Sequence, residues 1–481
     1  MKILYYNWVP FDDDENRGGG VTVYQRNLIA ELLKKTDYEV FFISSGISYS
    51  LRKKEPYFVR TKNIFKKRCK TFQIVNSPIL SPGHCAFDDM ELYLYDLKLY
   101  QLFKNFVLKF GPFDVIHFNN FEGLSLNVLK IKEDFPDIKI IVSLHNYYLF
   151  CPQVNLWKRE KENCLDFDDG KDCLQCLKFK PDKREVLFAD RLAYFWKRHG
   201  INSESAIFRA SYKYSNIIKR INKISKNFRK KTTLERRCYK ICANDYKLFR
   251  ERNVEYINKY ADKVLCVSER VKEIAIKMGI SPEILITDYI GTEIAKKQVD
   301  HGNAPLDSEI FTIVFMGYMR RDKGFFFLLK ALNQINEDIA KNIKIIFAAK
   351  IDSEKTICKI YKLGKKYYEI DIRDGYSHNE LPQILNETNL GIIPVLWEDN
   401  LPQVAIEMVA HGVPILASDL GGAHELCNDS NFIFKNNNIN DFSEKLEFLF
   451  SNRNVLDQYW KNRRHLTTFT EHISKLKEYY S

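Results

Sequence analysis

Residues 390–426 read LGIIPVLWEDNLPQVAIEMVAHGVPILASDLGGAHEL, and few folds accommodate that order of residue types. The opening run, 390–396, is short, apolar and β-branched, which predicts a strand buried on both faces. A polar break follows, Glu398-Asp399-Asn400. Pro402 suits the first helical position, where its missing N–H would be unpaired anyway. The helix it opens buries Val404 and Met408, stops at Gly412 and gives way to a second apolar strand, 413–416. Strand, loop, helix and strand in that order predict a parallel unit, and open α/β sheets bind ligands outside the carboxyl ends of their strands. Free N–H groups at such a helix start favour an anion such as a phosphate. Asp399 stands in the mouth of that crevice, with Glu407 about two turns into the helix. Both carboxylates can accept hydrogen bonds from the hydroxyls of a ribose or a sugar. The plain alternative is a helix start that is merely acidic.

The same alternation recurs towards the N-terminus. Strand 2–6 leads through a loop containing Gly18-Gly19-Gly20 into the amphipathic helix VTVYQRNLIAELLKK, and strands follow at 38–44, 114–118 and 139–144. The glycine spacing is not the G-x-G-x-x-G dinucleotide fingerprint, which argues against a dehydrogenase. His145 closes the strand at 139–144, where a neutral imidazole could hydrogen-bond a ligand; a histidine satisfied within the crevice wall is the alternative. His117, on the preceding strand, reads as structural. At 481 residues and 45% apolar, the chain suits two or three globular domains. No apolar run reaches the roughly 18 residues that span a bilayer. The opening MKILYYNWVP reads as a buried strand and not a secretory signal, which places the protein in the cytoplasm. The acidic run at 12–14 looks like a solvated turn.

The segment 397–426 resembles the E-x7-E signature of retaining GT-B glycosyltransferases of family 4, of the kind that builds bacterial cell-surface polysaccharide. The resemblance implies two doubly wound Rossmann-like domains facing across a cleft: an acceptor-side domain over 1–295, a nucleotide-sugar-binding domain over 305–456, and a helix at 457–481 crossing back onto the first. It implies that Asp399, standing where the family has Glu, contacts the donor sugar, and that Glu407 binds the ribose. Glu398 is one place out of register. The segment 311–332, FTIVFMGYMRRDKGFFFLLKAL, resembles the family's G-R-x-x-x-x-K-G element. Lys323 and Gly324 match it in register, Tyr318 replaces the Arg, and Arg320 is the favoured substitute among the donor-phosphate cations. Gly421, Gly422 and Glu425 resemble a G-G-x-x-E element at the donor site. Gly19 and Gly20 resemble the glycine loop facing the donor, and His145 a histidine near the donor sugar and acceptor. The reaction implied is transfer of a hexose-type sugar from a nucleotide-diphosphate donor to a saccharide acceptor, with no metal needed for catalysis. Electrostatic stabilisation of the departing diphosphate then carries much of the rate, and no covalent nucleophile is nominated.

Two features lie outside those motifs. Cys151, Cys164, Cys173 and Cys176 are spaced C-x12-C-x8-C-x2-C, a pattern compatible with a structural zinc or with unrelated buried thiols. Residues 178–252 hold 22 Lys and Arg against 7 Asp and Glu, more positive than the +12 of the whole chain. Interleaved aromatic residues make this a basic helical insertion suited to an anionic membrane surface, hence a peripheral location on the inner face of the membrane and a lipid-linked acceptor. A solvated charged insertion is the alternative. No zinc-finger, helix-turn-helix or RNA-recognition signature supports nucleic-acid binding. That module and a GT-B-fold nucleotide-sugar epimerase are the two rival functions.

Overall fold

The computed structural model describes residues 1–13, 15, 17–82, 90–176, 183–201, 205–211 and 241–481. Ten strands fall in its first part: β1 (Lys2–Tyr6), β2 (Glu39–Ser45), β3 (Tyr57–Thr61), β4 (Cys69–Val75), β5 (Val115–Phe118), β6 (Lys139–Leu144), β7 (Trp157–Lys158), β8 (Glu162–Asn163), β9 (Lys263–Cys266) and β10 (Leu285–Thr287). All but the β7–β8 hairpin join one sheet in the order β10-β9-β6-β5-β1-β2-β4-β3. Its pairings are parallel except β3 against β4. The central strands are buried along nearly their whole length, as both-face coverage by helices requires.

The second sheet is wholly parallel. It contains β11 (Phe311–Tyr318), β12 (Ile343–Lys350), β13 (Glu369–Asp374), β14 (Leu390–Ile393), β15 (Ile415–Ser418) and β16 (Ile433–Phe434), in the order β13-β12-β11-β14-β15-β16. Both sheets are doubly wound. Chain order reverses between β1 and β5 in the first and between β11 and β14 in the second, and each reversal opens a crevice at the carboxyl ends of its strands.

Some element bounds differ from the sequence reading. Gly19 and Gly20 form the first turn of the helix Gly19–Lys35 and not the loop before it. Pro402 caps the helix Gln403–Ala410 from outside. The tail is two helices, Val455–Asn462 and Phe469–Tyr480. Thr468 separates them by capping the second: its hydroxyl accepts from the Glu471 N–H while the Glu471 carboxylate accepts from the Thr468 N–H at 2.8 Å, a reciprocal cap that fixes a helix start. About half of the basic insertion, 178–182, 202–204 and 212–240, lies outside the described residues. Its last part is no insertion. Ala243–Tyr260 is a helix of the first sheet's layer that buries Tyr246, Phe249 and Asn253. The run at 12–14 is not wholly solvated either, since Asp13 is buried and pairs with Arg17 at 2.5 Å; Asp14 lies outside the described residues. Among the described residues no helix is long and apolar enough to cross a membrane.

The last helix crosses back onto the first sheet. Its Tyr480 hydroxyl meets Tyr5 Oη at 3.0 Å and His117 Nδ1 at 2.6 Å, while His117 Nε2 meets Ser143 Oγ at 2.7 Å. His117 is fully buried, which pushes its pKa well below the ordinary value and keeps the ring neutral. Tyr480→Phe strands two buried polar groups at once and should cost about 1–3 kcal/mol, read as an earlier urea midpoint. An unchanged midpoint would show that the crossing helix is held by apolar packing alone.

Candidate functional site

A cleft of about 620 Å³ lies between the carboxyl ends of the two sheets. Gly19, Gly20, Tyr24 and His145 line it from the first; Lys323, Asp399, Asn400 and Glu407 line it from the second.

The second sheet's switch point builds the charged half. β11 runs into a loop carrying Lys323, and its neighbour β14 runs into the loop carrying Asp399, so residues 76 positions apart meet. Lys323 Nζ donates to Asp399 Oδ2 at 2.5 Å and lies 5.4 Å above the Trp397 ring. Gly324 makes this possible. Its φ is +71°, and a Cβ there would sit 1.5 Å from the Pro394 carbonyl oxygen, so only glycine lets the two loops touch. Deeper in, Glu407 is buried. Its Oε2 accepts from the Tyr376 hydroxyl at 2.8 Å, and Oε1 lies 3.3 Å from His378 Nε2. The neighbouring carboxylate raises the His378 pKa above its ordinary 6.5.

The first domain contributes a neutral half. His145 Nε2 donates to Asn119 Oδ1 at 3.1 Å, leaving Nδ1 as an acceptor. Burial, and secondarily His472, pushes the His145 pKa down to about 3, so it serves as a hydrogen-bonding group and not as a proton donor at neutral pH. Its ring centroid lies 5.0 Å from that of Tyr24. The Tyr24 hydroxyl meets His472 Nε2 at 2.6 Å, and His472 Nδ1 lies 3.2 Å from Asp288 Oδ2. The crossing C-terminal helix thereby braces the wall that carries His145.

Four of the expected donor residues stand elsewhere. Arg320 is turned out of the cleft, its guanidinium held by both oxygens of Asp322 at 2.9 Å. Its neighbour Arg321 reaches across to Glu160, with Nη2 donating to the backbone oxygen at 3.2 Å. Gly421 and Gly422 do not line the cleft. They support Asp399 from behind: Gly422 N–H donates to the Asp399 carbonyl at 2.9 Å, and a Cβ on Gly421, whose φ is +70°, would lie 2.1 Å from that oxygen. Glu425 faces the first domain, where it accepts from the backbone N–H groups of Glu269 and Arg270 at 2.9 and 2.7 Å and from the Tyr289 hydroxyl at 2.5 Å. It caps the helix Glu269–Lys277, where a carboxylate offsets the positive helix end.

Glu398, out of register in the sequence motif, is the best-held acid of the site. It is fully buried. Arg270 donates to both its oxygens, through Nη2 at 2.5 Å and Nε at 3.0 Å. Asn163 Nδ2 donates at 2.5 Å and Gly421 N–H at 3.0 Å. One carboxylate thus ties together the β7–β8 hairpin, the first domain's helix and the loop behind Asp399. Ser268 Oγ to the Asn400 carbonyl, 2.8 Å, and Gln403 Nε2 to the Gly20 carbonyl, 2.9 Å, continue the seam. No spacing rule links 398 to 163 or 270, so only the fold discloses it. The four cysteines do converge: Cys151, Cys164, Cys173 and Cys176 line one small second cavity. Burial pushes the Cys164 thiol up to about 12 and raises those of Cys173 and Cys176.

Glu398→Ala leaves Arg270 with only the more exposed Glu273 and strips Asn163 and the Gly421 N–H of their acceptor. It should destabilise the protein by about 1–3 kcal/mol, measured by urea unfolding; a change below ~0.5 kcal/mol, the range of ordinary surface substitutions, would remove the pair from the seam. His378 supplies a pH test. Because its folded pKa is raised above the unfolded value, the pair with Glu407 is fully formed below about 6.5 and is lost as pH rises through the raised value. An NMR titration should show the His378 pKa falling towards its ordinary value in Glu407→Gln. An identical titration in both proteins would disprove the coupling.

Residues 296–466 match the family model for glycosyl transferases group 1. Over 173 residues the chain is similar, at 24% identity, to the putative teichuronic acid biosynthesis glycosyltransferase TuaC of Bacillus subtilis (strain 168). That alignment covers 34% of this chain and 41% of the relative's length. Among solved structures, Anabaena HepE in complex with UDP aligns with a TM-score of 0.56 at 14% identity, over 100% of this chain and 99% of that one. The lipopolysaccharide outer core galactosyltransferase WaaB in its apo form aligns with a TM-score of 0.56 at 13% identity, over 100% of both chains. Sucrose-phosphate synthase from Thermosynechococcus elongatus aligns with a TM-score of 0.56 at 15% identity, over 100% and 98%. Identities this low carry the fold alone. The chain has the GT-B fold, and its residues 296–466 carry the match to the glycosyl transferases group 1 model.

Proposed function

We propose that this protein is a retaining glycosyltransferase that moves a hexose-type sugar from a nucleoside-diphosphate donor to a saccharide acceptor in surface polysaccharide synthesis. The observation that carries the reading is the placing of Lys323, Asp399 and Glu407 around one interdomain cleft at the second sheet's switch point. HepE, solved with UDP, supports a uridine or similar diphosphate as ligand class.

In this reading Glu407 accepts from the ribose hydroxyls, displacing His378, while the Tyr376 hydroxyl keeps its other oxygen in place. Lys323 takes up the diphosphate charge that grows as the sugar–oxygen bond breaks, supported by the N–H groups at the start of the helix Gln403–Ala410. Without donor, Lys323 and Asp399 neutralise each other, so neither charge stands unpaired. When donor enters, Lys323 turns to phosphate and Asp399 is freed to accept from a sugar hydroxyl. His145 offers its neutral Nδ1 on the facing wall. The acceptor is proposed to be lipid-linked, presented at an anionic membrane from the cytoplasmic side. The helix Lys183–Arg198, with its basic last turn and exposed Phe195, supports that geometry.

Calorimetry with UDP, GDP and ADP should show one nucleotide binding well, with binding lost in Glu407→Ala. Lys323→Ala should keep the fold and lower transfer from the matching nucleotide sugar by about 10²–10³-fold. Failure of all three nucleotides to bind the wild-type protein would sink the reading.

A further inference from the structure

We infer that Cys151, Cys164, Cys173 and Cys176 bind one zinc ion, which holds the β7–β8 hairpin against the second domain. The four residues come from a loop, the end of β8 and the short helix Lys171–Cys176, and the fold brings all of them to one cavity of about 10 Å³. That is the room of one small occupant, enough for an ion and too little for an iron–sulfur cluster. Four sulfurs and no other soft ligand select zinc among divalent ions that favour tetrahedral sites.

N–H groups stand beside two of the sulfurs, where they would stabilise thiolates once a cation binds, while Cys164 Sγ donates to the Asp166 carbonyl at 3.4 Å. The two donors are Arg159 backbone N to Cys176 Sγ and Arg250 Nη2 to Cys173 Sγ, both at 3.2 Å, and the Gln153 side chain stands beside Cys176. Such donors orient and stabilise ligand sulfur. Arg250 is the second, independent observation. Its guanidinium is buried, lies 3.5 Å from the Phe167 ring centroid, and among the described residues finds only the Tyr246 carbonyl and the Cys173 sulfur, with Nε unpartnered. Asp172 lines the same cavity but is engaged by Lys158 and Arg159. A buried cation without a carboxylate calls for another negative group. Four thiolates on Zn²⁺ carry a net charge of about −2, which Arg250 partly offsets.

Among the described residues no three His, Cys, Asp or Glu side chains stand in ligating geometry, and binding requires the four sulfurs to close to about 2.3 Å from the ion. The exchange balances: four thiols lose four protons, four Zn–S bonds form, and no oxidant or reductant enters. The consequence lies at the cleft. Asn163, adjacent to Cys164, donates to Glu398, and Glu160 at the hairpin tip meets Arg321, two residues before Lys323. The ion therefore anchors the hairpin that touches both the sugar-side and the phosphate-side loops.

Full-length protein purified under reducing conditions should carry about one zinc per chain by mass spectrometry of the metal, and the C173S/C176S variant none. Should that variant fail to fold, replacement of zinc by Co²⁺ in the wild-type chain decides: the thiolate charge-transfer and tetrahedral d–d absorption bands should appear and should vanish on adding a chelator. Hydrogen exchange at 157–163 should accelerate after chelation. Sub-stoichiometric metal after reconstitution with zinc, zinc retained in a folded C173S/C176S protein, or cobalt binding without thiolate bands would each overturn the site. None of these readouts depends on nucleotide binding, so the site and the glycosyltransferase reading stand or fall separately.

Discussion

The geometry of the cleft depends on one buried carboxylate. Glu398 has no access to solvent, and a desolvated charge survives only with its lone pairs filled and a cation beside it. Arg270 supplies the cation, and Asn163 and the Gly421 N–H fill the remaining positions. Those partners come from three separate places in the chain, and two of them belong to the other domain. Satisfying the charge therefore fixes where the domains sit. Asp399, one residue further on, inherits its position from that bond set. Glu425 reinforces it by capping the helix that begins beside Arg270.

Within that frame, the switch points of the two sheets do the placing. Parallel strands whose chain order reverses leave their following loops splayed around a crevice, and here two crevices face each other. The charged groups come from one side, as the Lys323–Asp399 pair and Glu407; the other side offers a neutral histidine and the start of a helix. Such a division suits a ligand whose phosphates and ribose are gripped by one domain while its reacting end faces the other. The paired state of Lys323 and Asp399 also explains how both charges remain in the cleft without costly desolvation when no ligand offsets them.

Much of this is legible in the residues alone. Continuous apolar runs such as ILYY and IIVSL read as strands covered on both faces, and the run from 390 to 416 reads as a β-α-β unit. The positions of Asp399 and His145 follow from the rule that loops after parallel strands bind ligands, and that of Glu407 from its place in the helix after such a loop. Lys323 is singled out only by the resemblance of its loop to the family's basic element. Arg320 is not legible in this way, because two adjacent arginines in one loop look alike until Asp322 claims the first and Glu160 the second. For Gly421, Gly422 and Glu425 the sequence indicates the right neighbourhood but not the role. A glycine turn near a site can line it or support it, and only packing against the Asp399 carbonyl distinguishes the two.

The sequence by itself determined the local elements, the doubly wound class and the loops that carry the chemistry, because periodicity and turn residues act over a few positions. It also determined that four cysteines lie close along the chain. Tertiary structure alone decided that those cysteines share one cavity beside Arg250, that Glu398 locks the domains together, and that His472 and Tyr480 return from the tail to brace the first sheet. The reason is physical. A buried charge or polar group takes whatever partner the packed fold brings within about 3 Å, and that partner's distance along the chain carries no local signal.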